Sequence, residues 1–207
     1  MVSNDTLPFR KPADTHHPIH ELLSERWSPR AFGDKSVDSG TLHSLFEAAR
    51  WAASGGNQQP WNFLFATKEN PEDHARFVSL LWERNAIWAQ NAPVLVLVVA
   101  KLYDFPGKER NSYYDVGMAT ANLLTQAVAH GLVTHPMGGF DTEKARTELN
   151  IPSGYEPLTM IALGYPGVPD QLPEPLKERE LAPRTRKPLD EFVFEGRWQQ
   201  PAPDAAL

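Results

Sequence analysis

The chain has 207 residues, 41% of them hydrophobic, no cysteine and a formal net charge of -6. That length suits one domain with a sizeable core, or one subunit of an intimate dimer. The acidic balance argues against a general nucleic-acid binder while leaving room for a local cationic pocket, and the missing cysteines exclude disulfides, thiolate metal sites and thiol nucleophiles.

Met1 to Thr6 lack the basic start and apolar core of a signal peptide, and the longest apolar run, Ala92 to Ala100, is too short to span a bilayer. The expectation is a soluble, cytoplasmic protein with no membrane or nucleic-acid partner. Residues 1–13 read as a mobile lead-in. Asp14 or Thr15 then caps a predicted short helix through Pro18, Ile19, Leu22 and Leu23, ending near Arg26. His16, His17 and His20 lie there without a carboxylate or further histidine at ligand spacing, so they are not taken as a metal site.

In Arg26-Trp27-Ser28-Pro29-Arg30-Ala31-Phe32, Pro29 disfavours helix at Ser28. The backbone is expected to run extended, with Arg26, Ser28 and Arg30 pointing the same way. Two guanidinium groups flanking a hydroxyl can grip a phosphate. Equally, Arg26 can complement the helix C-terminus while Arg30 stays a solvated charge.

Leu42, Leu45, Phe46, Ala49 and Ala53 fall at helical spacing after Asp38 or Ser39, and Trp61, Phe63 and Phe65 alternate as in a strand. Between them lies Ser54-Gly55-Gly56-Asn57-Gln58-Gln59-Pro60. Its glycines let the backbone approach a planar ligand whose edge the amides can read; taken alone, the same composition makes an ordinary turn. Asn70-Pro71 opens a helix through Phe77, Leu80 and Leu81. Trp82, Trp88 and Tyr103 follow in or near a connecting region, with core packing preferred over channel lining. Pro93 to Ala100 reads as a fully buried strand.

A loop at Pro106-Gly107 is a candidate lid. A long helix is predicted from about Ser112 to His130, with Val116, Ala119, Leu123, Ala127 and Val128 on an apolar face that Met118, Ala121 and Leu124 widen. So broad a face belongs to a core helix or a subunit interface. Gly131 ends it, and Leu132 to Met137 form a strand emptying into Gly138-Gly139, whose amides can donate to a ligand or merely make the turn. His135 is read as a structural hydrogen-bonder. Asp141 caps a helix ending near Asn150, and Leu158 to Gly164 form another buried strand. Beyond it, Pro166, Pro169, Pro173, Pro175, Pro183 and Pro188 are expected to prevent regular structure over more than twenty residues. Apolar character returns at Leu189, Phe192, Val193, Phe194 and Trp198, as in an arm that wraps around a neighbour. Arg184, Arg186 and Lys187 form a compact cationic cluster along it.

Four of these segments together resemble the nitroreductase family of FMN-dependent oxidoreductases, in the right order and at family-like separations. They are Arg26 to Phe32, similar to an Arg-x-Ser-x-Arg/Lys-x-Phe motif; Ser54 to Phe63, similar to Ser-x-x-Asn-x-Gln-Pro-Trp-x-Phe; Gly131 to Asp141; and Arg184 to Leu189. The resemblance implies an α+β, three-layer fold with a central, mainly antiparallel sheet flanked by helices. Residues 14–165 would form the core, and the proline-rich arm, 166–207, would be exchanged across a homodimer with FMN at the subunit interface. It further implies that Arg26 and Ser28 hold the phosphate and ribityl side together with Arg184 and Arg186, with Trp27 between them also counted as cofactor-binding. Arg30 would lie by the pyrimidine end, Asn57 at the ring edge with Ser54 of the partner subunit, and Pro136, Met137, Gly138 and Gly139 along the ring near N5. Trp27 stands where a smaller or polar residue is frequent in the family, Ala53 where proline is common, and Gly138 where some members carry glutamate. None of these removes a group that FMN needs.

The chemistry implied is hydride transfer from NAD(P)H to N5 of FMN, with Arg30 stabilising the negative charge that develops, followed by ping-pong reduction of a nitroaromatic, quinone or enone-like oxidant. No Gly-x-Gly-x-x-Gly fingerprint is present, in keeping with a nicotinamide that stacks on the flavin. The alternatives are other chemistry on the same cofactor (reductive dehalogenation, flavin fragmentation or dehydrogenation) and a non-catalytic flavin-binding protein.

Overall fold

The structure is a computed structural model that describes residues 9–103 and 109–200. Its centre is a four-stranded antiparallel sheet of β1 (Trp61–Thr67), β2 (Val94–Lys101), β3 (Val133–Met137) and β4 (Tyr155–Gly164), in the order β1-β2-β4-β3. β2 is apolar without alternation because both of its faces are covered. Leu95, Leu97 and Val99 pack with Phe77, Leu80, Trp88 and Met160 on one side, and Val94, Val96, Val98 and Ala100 pack with Leu45, Val116, Leu123 and Ile161 on the other. Three layers result, as expected. Among the described residues, no helix is long and apolar enough to cross a membrane.

The helices are α1 (Glu21–Glu25), α2 (Ser39–Arg50), α3 (Pro71–Leu80), α4 (Glu83–Ala89), α5 (Glu109–Ala129), α6 (Thr142–Glu148) and α7 (Glu174–Leu181). Asp38, Asn70 and Asp141 cap α2, α3 and α6 by accepting amides from the first turn. Gly131, at φ 70°, ends α5.

Four expectations need correction. The first helix starts at His20, whose Nδ1 accepts the Leu22 amide, and not at Asp14 or Thr15; Pro18 keeps His17 out of the helical region. Residues 9–13 are fastened: Arg10 pairs with Glu25, and the Ala13 amide donates to the Ser24 carbonyl (2.9 Å). The connecting region that holds Trp82 and Trp88 contains α4. The proline-rich stretch contains α7, because its prolines sit at or near that helix's ends and the run between Pro175 and Pro183 is made largely of strong helix formers. The Pro106-Gly107 loop lies outside the described residues.

Helix α5 buries Ser112, Asp115, Val116, Ala119, Thr120, Leu123 and Ala127, while Tyr114 remains 70% exposed and Gly117 and Ala121 are also uncovered. That strip of its surface is left uncovered by the described chain. The Arg26 segment is moored to the sheet by Phe32, which bridges to Pro166, and by reciprocal backbone bonds from Gly33 to Tyr165 and from Gly167 to Ala31. Phe32 also stacks on Trp88 (6.3 Å between ring centres).

Candidate active site

After α1 the backbone turns extended at Arg26 (ψ 118°), and the Arg26 guanidinium reaches the Ser28 hydroxyl at 3.3 Å. Pro29 is buried, and its carbonyl lies 2.9 Å from His135 Nδ1. A carbonyl can only accept, so Nδ1 carries the proton. Burial, opposed by that bond and reinforced by the charges of Arg30 and Arg26, lowers the His135 pKa to about 4 and keeps the ring neutral. The ring also packs on Trp88 at 4.5 Å. His135 is thus the structural hydrogen-bonder that the sequence suggested.

Arg26, Arg184 and Arg186 lie close enough to disturb one another. Burial lowers the pKa of Arg26, and Arg184 and Arg186 lower it further; burial and Arg186 do the same to Arg184, partly offset by Glu25. Among the described residues, no carboxylate comes within ion-pair distance of any of the three. All three line a groove of about 810 Å³ whose apolar side includes Leu23 and Leu189. His16 and His17 also border it, although no metal-binding cluster is found among the described residues.

The arginines are nonetheless held differently. Arg184 donates to the carbonyls of Lys11 (2.7 Å), Ser24 (2.7 Å) and Arg26 (3.0 Å), whereas Arg186 is exposed and, among the described residues, donates only to its neighbour Thr185 (2.7 Å). Arg30 is joined to Glu180: its guanidinium lies 3.7 Å from Oε2, and its amide, with that of Ala31, donates to Oε1 at 2.8 and 3.1 Å. The same guanidinium sits 6.0 Å over the Trp88 ring.

The turn after α2 is conformationally strained. Asn57 (φ 56°) and Gln59 (φ 50°) adopt the left-handed region alongside Gly56 (φ 56°). Such backbone costs a non-glycine residue on the order of 1–2 kcal/mol and is kept where the surroundings over-determine it. Asp115, buried in α5, supplies that constraint: its Oδ2 accepts the Gly55 amide (3.0 Å) and the Tyr103 hydroxyl (2.5 Å). Burial first, then Asp115, pushes the Tyr103 pKa up to about 12, so the phenol remains a donor. Ser54 Oγ accepts the Gln59 amide at 3.1 Å. Among the described residues, no hydrogen bond or ion pair joins this turn to the arginine cluster.

At the end of β3, Gly138 is exposed with open space where a Cβ would stand, while Gly139 gives its carbonyl to Trp82 and Asn85. Pro136 pairs with Ile161 in the sheet. Two further expected site residues make contacts within the chain. Met137 sends its side chain into the core and its carbonyl to Thr159, because alternation in β3 turns it inward. Trp27 packs against Phe9 (5.8 Å) and under the Lys11 ammonium (4.9 Å), where it helps fasten the N-terminal segment.

The Nitroreductase family profile matches residues 23–165, which span α1 to the end of β4. The chain belongs to the nitroreductase family. A solved oxidoreductase containing FMN is 35% identical and superposes with a TM-score of 0.83 over 90% of this chain and 96% of its own. A candidate NADH dehydrogenase/NAD(P)H nitroreductase of Xanthomonas oryzae is 28% identical over 71% of this chain and 84% of its own. An iodotyrosine deiodinase of Haliscomenobacter hydrossis is 24% identical over 75% and 82% respectively.

Within this nitroreductase-family chain, two residues that shape the site escaped the sequence reading. Glu180 lies beyond the region that the family profile matches, in a stretch whose prolines masked its helix. Asp115 left a faint signal, a charge four residues before Ala119 on the apolar stripe of α5. A buried carboxylate at such a place needs partners, and here they are a backbone amide and a phenol.

Proposed function

We propose that this chain is an FMN-dependent NAD(P)H oxidoreductase that works as a homodimer. The observation that carries the reading is the cluster of Arg26, Arg184 and Arg186, crowded at one groove with no carboxylate of the described residues in ion-pair range. A doubly charged phosphate monoester relieves that repulsion, and Ser28 beside Arg26 adds a hydroxyl. The residues present therefore fit the phosphate end of FMN. Arg26, Ser28 and Arg186 would hold it, Arg30 would face the pyrimidine end, and Asn57 and the Gly138 amide would meet the ring edge.

FMN, when bound, supplies hydride acceptance and donation, so that NAD(P)H and a small electron-poor oxidant such as a nitroaromatic, quinone or enone take turns in ping-pong order. Arg30, fixed in place by Glu180, sets a cation where negative charge develops, and no side-chain acid is required for hydride transfer itself. The strained turn keeps Asn57 presented without reorganisation when ligand arrives.

Dimerisation is favoured by aromatic side chains that the single chain leaves uncovered: Trp51 (74% exposed), Tyr114 (70%) and Trp198 (83%). A second copy covers them and brings its own Ser54 turn to the arginine half-site, with residues 189–198 crossing to the neighbour. The absence of cysteine suits a reducing cytoplasm.

The test is the absorption spectrum of the purified protein before and after anaerobic NADPH or NADH. A flavin band that bleaches is expected. Protein that binds no added FMN, or flavin that stays oxidised with both nucleotides, overturns the reading. The deiodinase relative favours a second reading, reductive dehalogenation on the same cofactor; halide release outpacing nitroaromatic reduction would select it.

A further inference from the structure

We propose that Glu180 and Arg184 brace the anion-binding segment by its backbone, and that Arg184 is a positioning residue for the cofactor site and not a phosphate ligand. This deepens the FMN reading and rests on it. The two residues stand four apart, at the end of α7 and just after it. Glu180 is 1% exposed, yet it is spent on main chain: Oε1 takes the amides of Arg30 and Ala31, and among the described residues Oε2 has no hydrogen-bond partner and is met by the Arg30 guanidinium, 3.7 Å away.

Arg184 does the converse at the other end of the segment. Ser24 lies in the last turn of α1 and Arg26 is its C-cap, so their carbonyls belong to the set that a helix terminus leaves without intrahelical partners. Arg184 takes both, and the Lys11 carbonyl as well. A carboxylate thus holds the amides at one end and a guanidinium holds the carbonyls at the other, with Ser28 between them. Lys11 Nζ closes the arrangement by donating to the Glu180 carbonyl at 2.6 Å. Three of the five N–H donors of Arg184 are committed to these carbonyls. Arg186, exposed and bonded among the described residues only to the adjacent Thr185, is the arm residue left to meet a phosphate.

FMN and riboflavin differ by the phosphate alone, so their affinities separate the two roles. Dissociation constants for both flavins are measured by fluorescence quenching in the full-length protein and in Arg186→Ala, Arg184→Lys, Glu180→Gln and Glu180→Ala. Arg186→Ala should weaken FMN at least tenfold and leave riboflavin within twofold. Arg184→Lys keeps the charge but loses the three-carbonyl grip, so it should weaken both flavins by the same factor, fivefold or more, and lower the apoprotein Tm. Glu180→Gln keeps an oxygen for the two amides and should recover most of what Glu180→Ala loses. An Arg184→Lys protein that loses FMN selectively, with riboflavin affinity and Tm unchanged, overturns the brace.

Amide hydrogen exchange on the apoprotein separates this proposal from the cofactor reading. The Arg30 and Ala31 amides should be protected, and exposed in Glu180→Ala. Fast exchange in the unmutated protein sinks the brace whatever the flavin does. Protected amides, lost in Glu180→Ala, in a protein that binds neither flavin uphold the brace and overturn the cofactor reading alone.

Discussion

Along β2, no side chain from Val94 to Ala100 is more than 1% exposed, and each one meets apolar neighbours supplied by helices on either face. The segment from Arg26 to Arg30 is instead gripped by side chains reaching its backbone from 106 residues away, at His135, from 150, at Glu180, and from 158, at Arg184. In the sheet, many weak and interchangeable contacts share the load, so volume is what counts. At the arginine edge a handful of hydrogen bonds, worth about 1.5–3 kcal/mol each when one partner is charged, set the geometry, and each loss leaves a polar group stranded. The first region should therefore fail through overpacking and the second through lost pairing or altered charge.

Gly164→Ala breaks the sheet side most severely. A Cβ there would stand 2.4 Å from Pro93 Cδ, a ring carbon with little room to yield. The expected cost is at least about 3 kcal/mol in denaturant unfolding. The ratio of FMN to riboflavin affinity in the folded fraction should stay put; a changed ratio would mean that the two regions are not independent.

His135 tests the edge through pH. Its pKa falls from 6.5 to about 4 on folding, so between those values the unfolded chain binds more protons and stability rises with pH. The contribution is complete above pH 6.5 and is lost as pH falls through 4, about 3 kcal/mol in all at 1.36 kcal/mol per unit. His74, whose pKa burial also lowers, adds with the same sign. His135→Gln can still donate to the Pro29 carbonyl and should flatten the profile in that window. An unchanged profile would remove His135 as its cause.

The smallest effect sharpens the comparison at the strained turn. Gly56→Ala would place its Cβ in ordinary contact, 3.9 Å from Gln58 Nε2, so the penalty is that of φ 56° alone, about 1–2 kcal/mol. FMN binding should weaken as Asn57 loses its presentation, with the Tm shift small beside that of Gly164→Ala. Equal shifts would place the turn in the same cooperative unit as the sheet.

What the amino-acid sequence settled alone was periodic or local: the four strands, the long helix, the helix starts at Asn70 and Asp141, and the motifs that mark the family. Each is a property of neighbours a few residues apart, where backbone sterics and the direction of side chains leave a visible repeat. The Arg26, Ser28 and Arg186 part of the proposed site was legible for the same reason. Only the tertiary structure decided that the Met137 side chain enters the core and Trp27 packs on Phe9, that a helix survives among the prolines, and that Asp115, Glu180 and Arg184 serve backbone groups distant in the chain. A main-chain amide or carbonyl looks the same at every position, so a side chain that finds its partner there leaves no pattern to read until folding brings the two together.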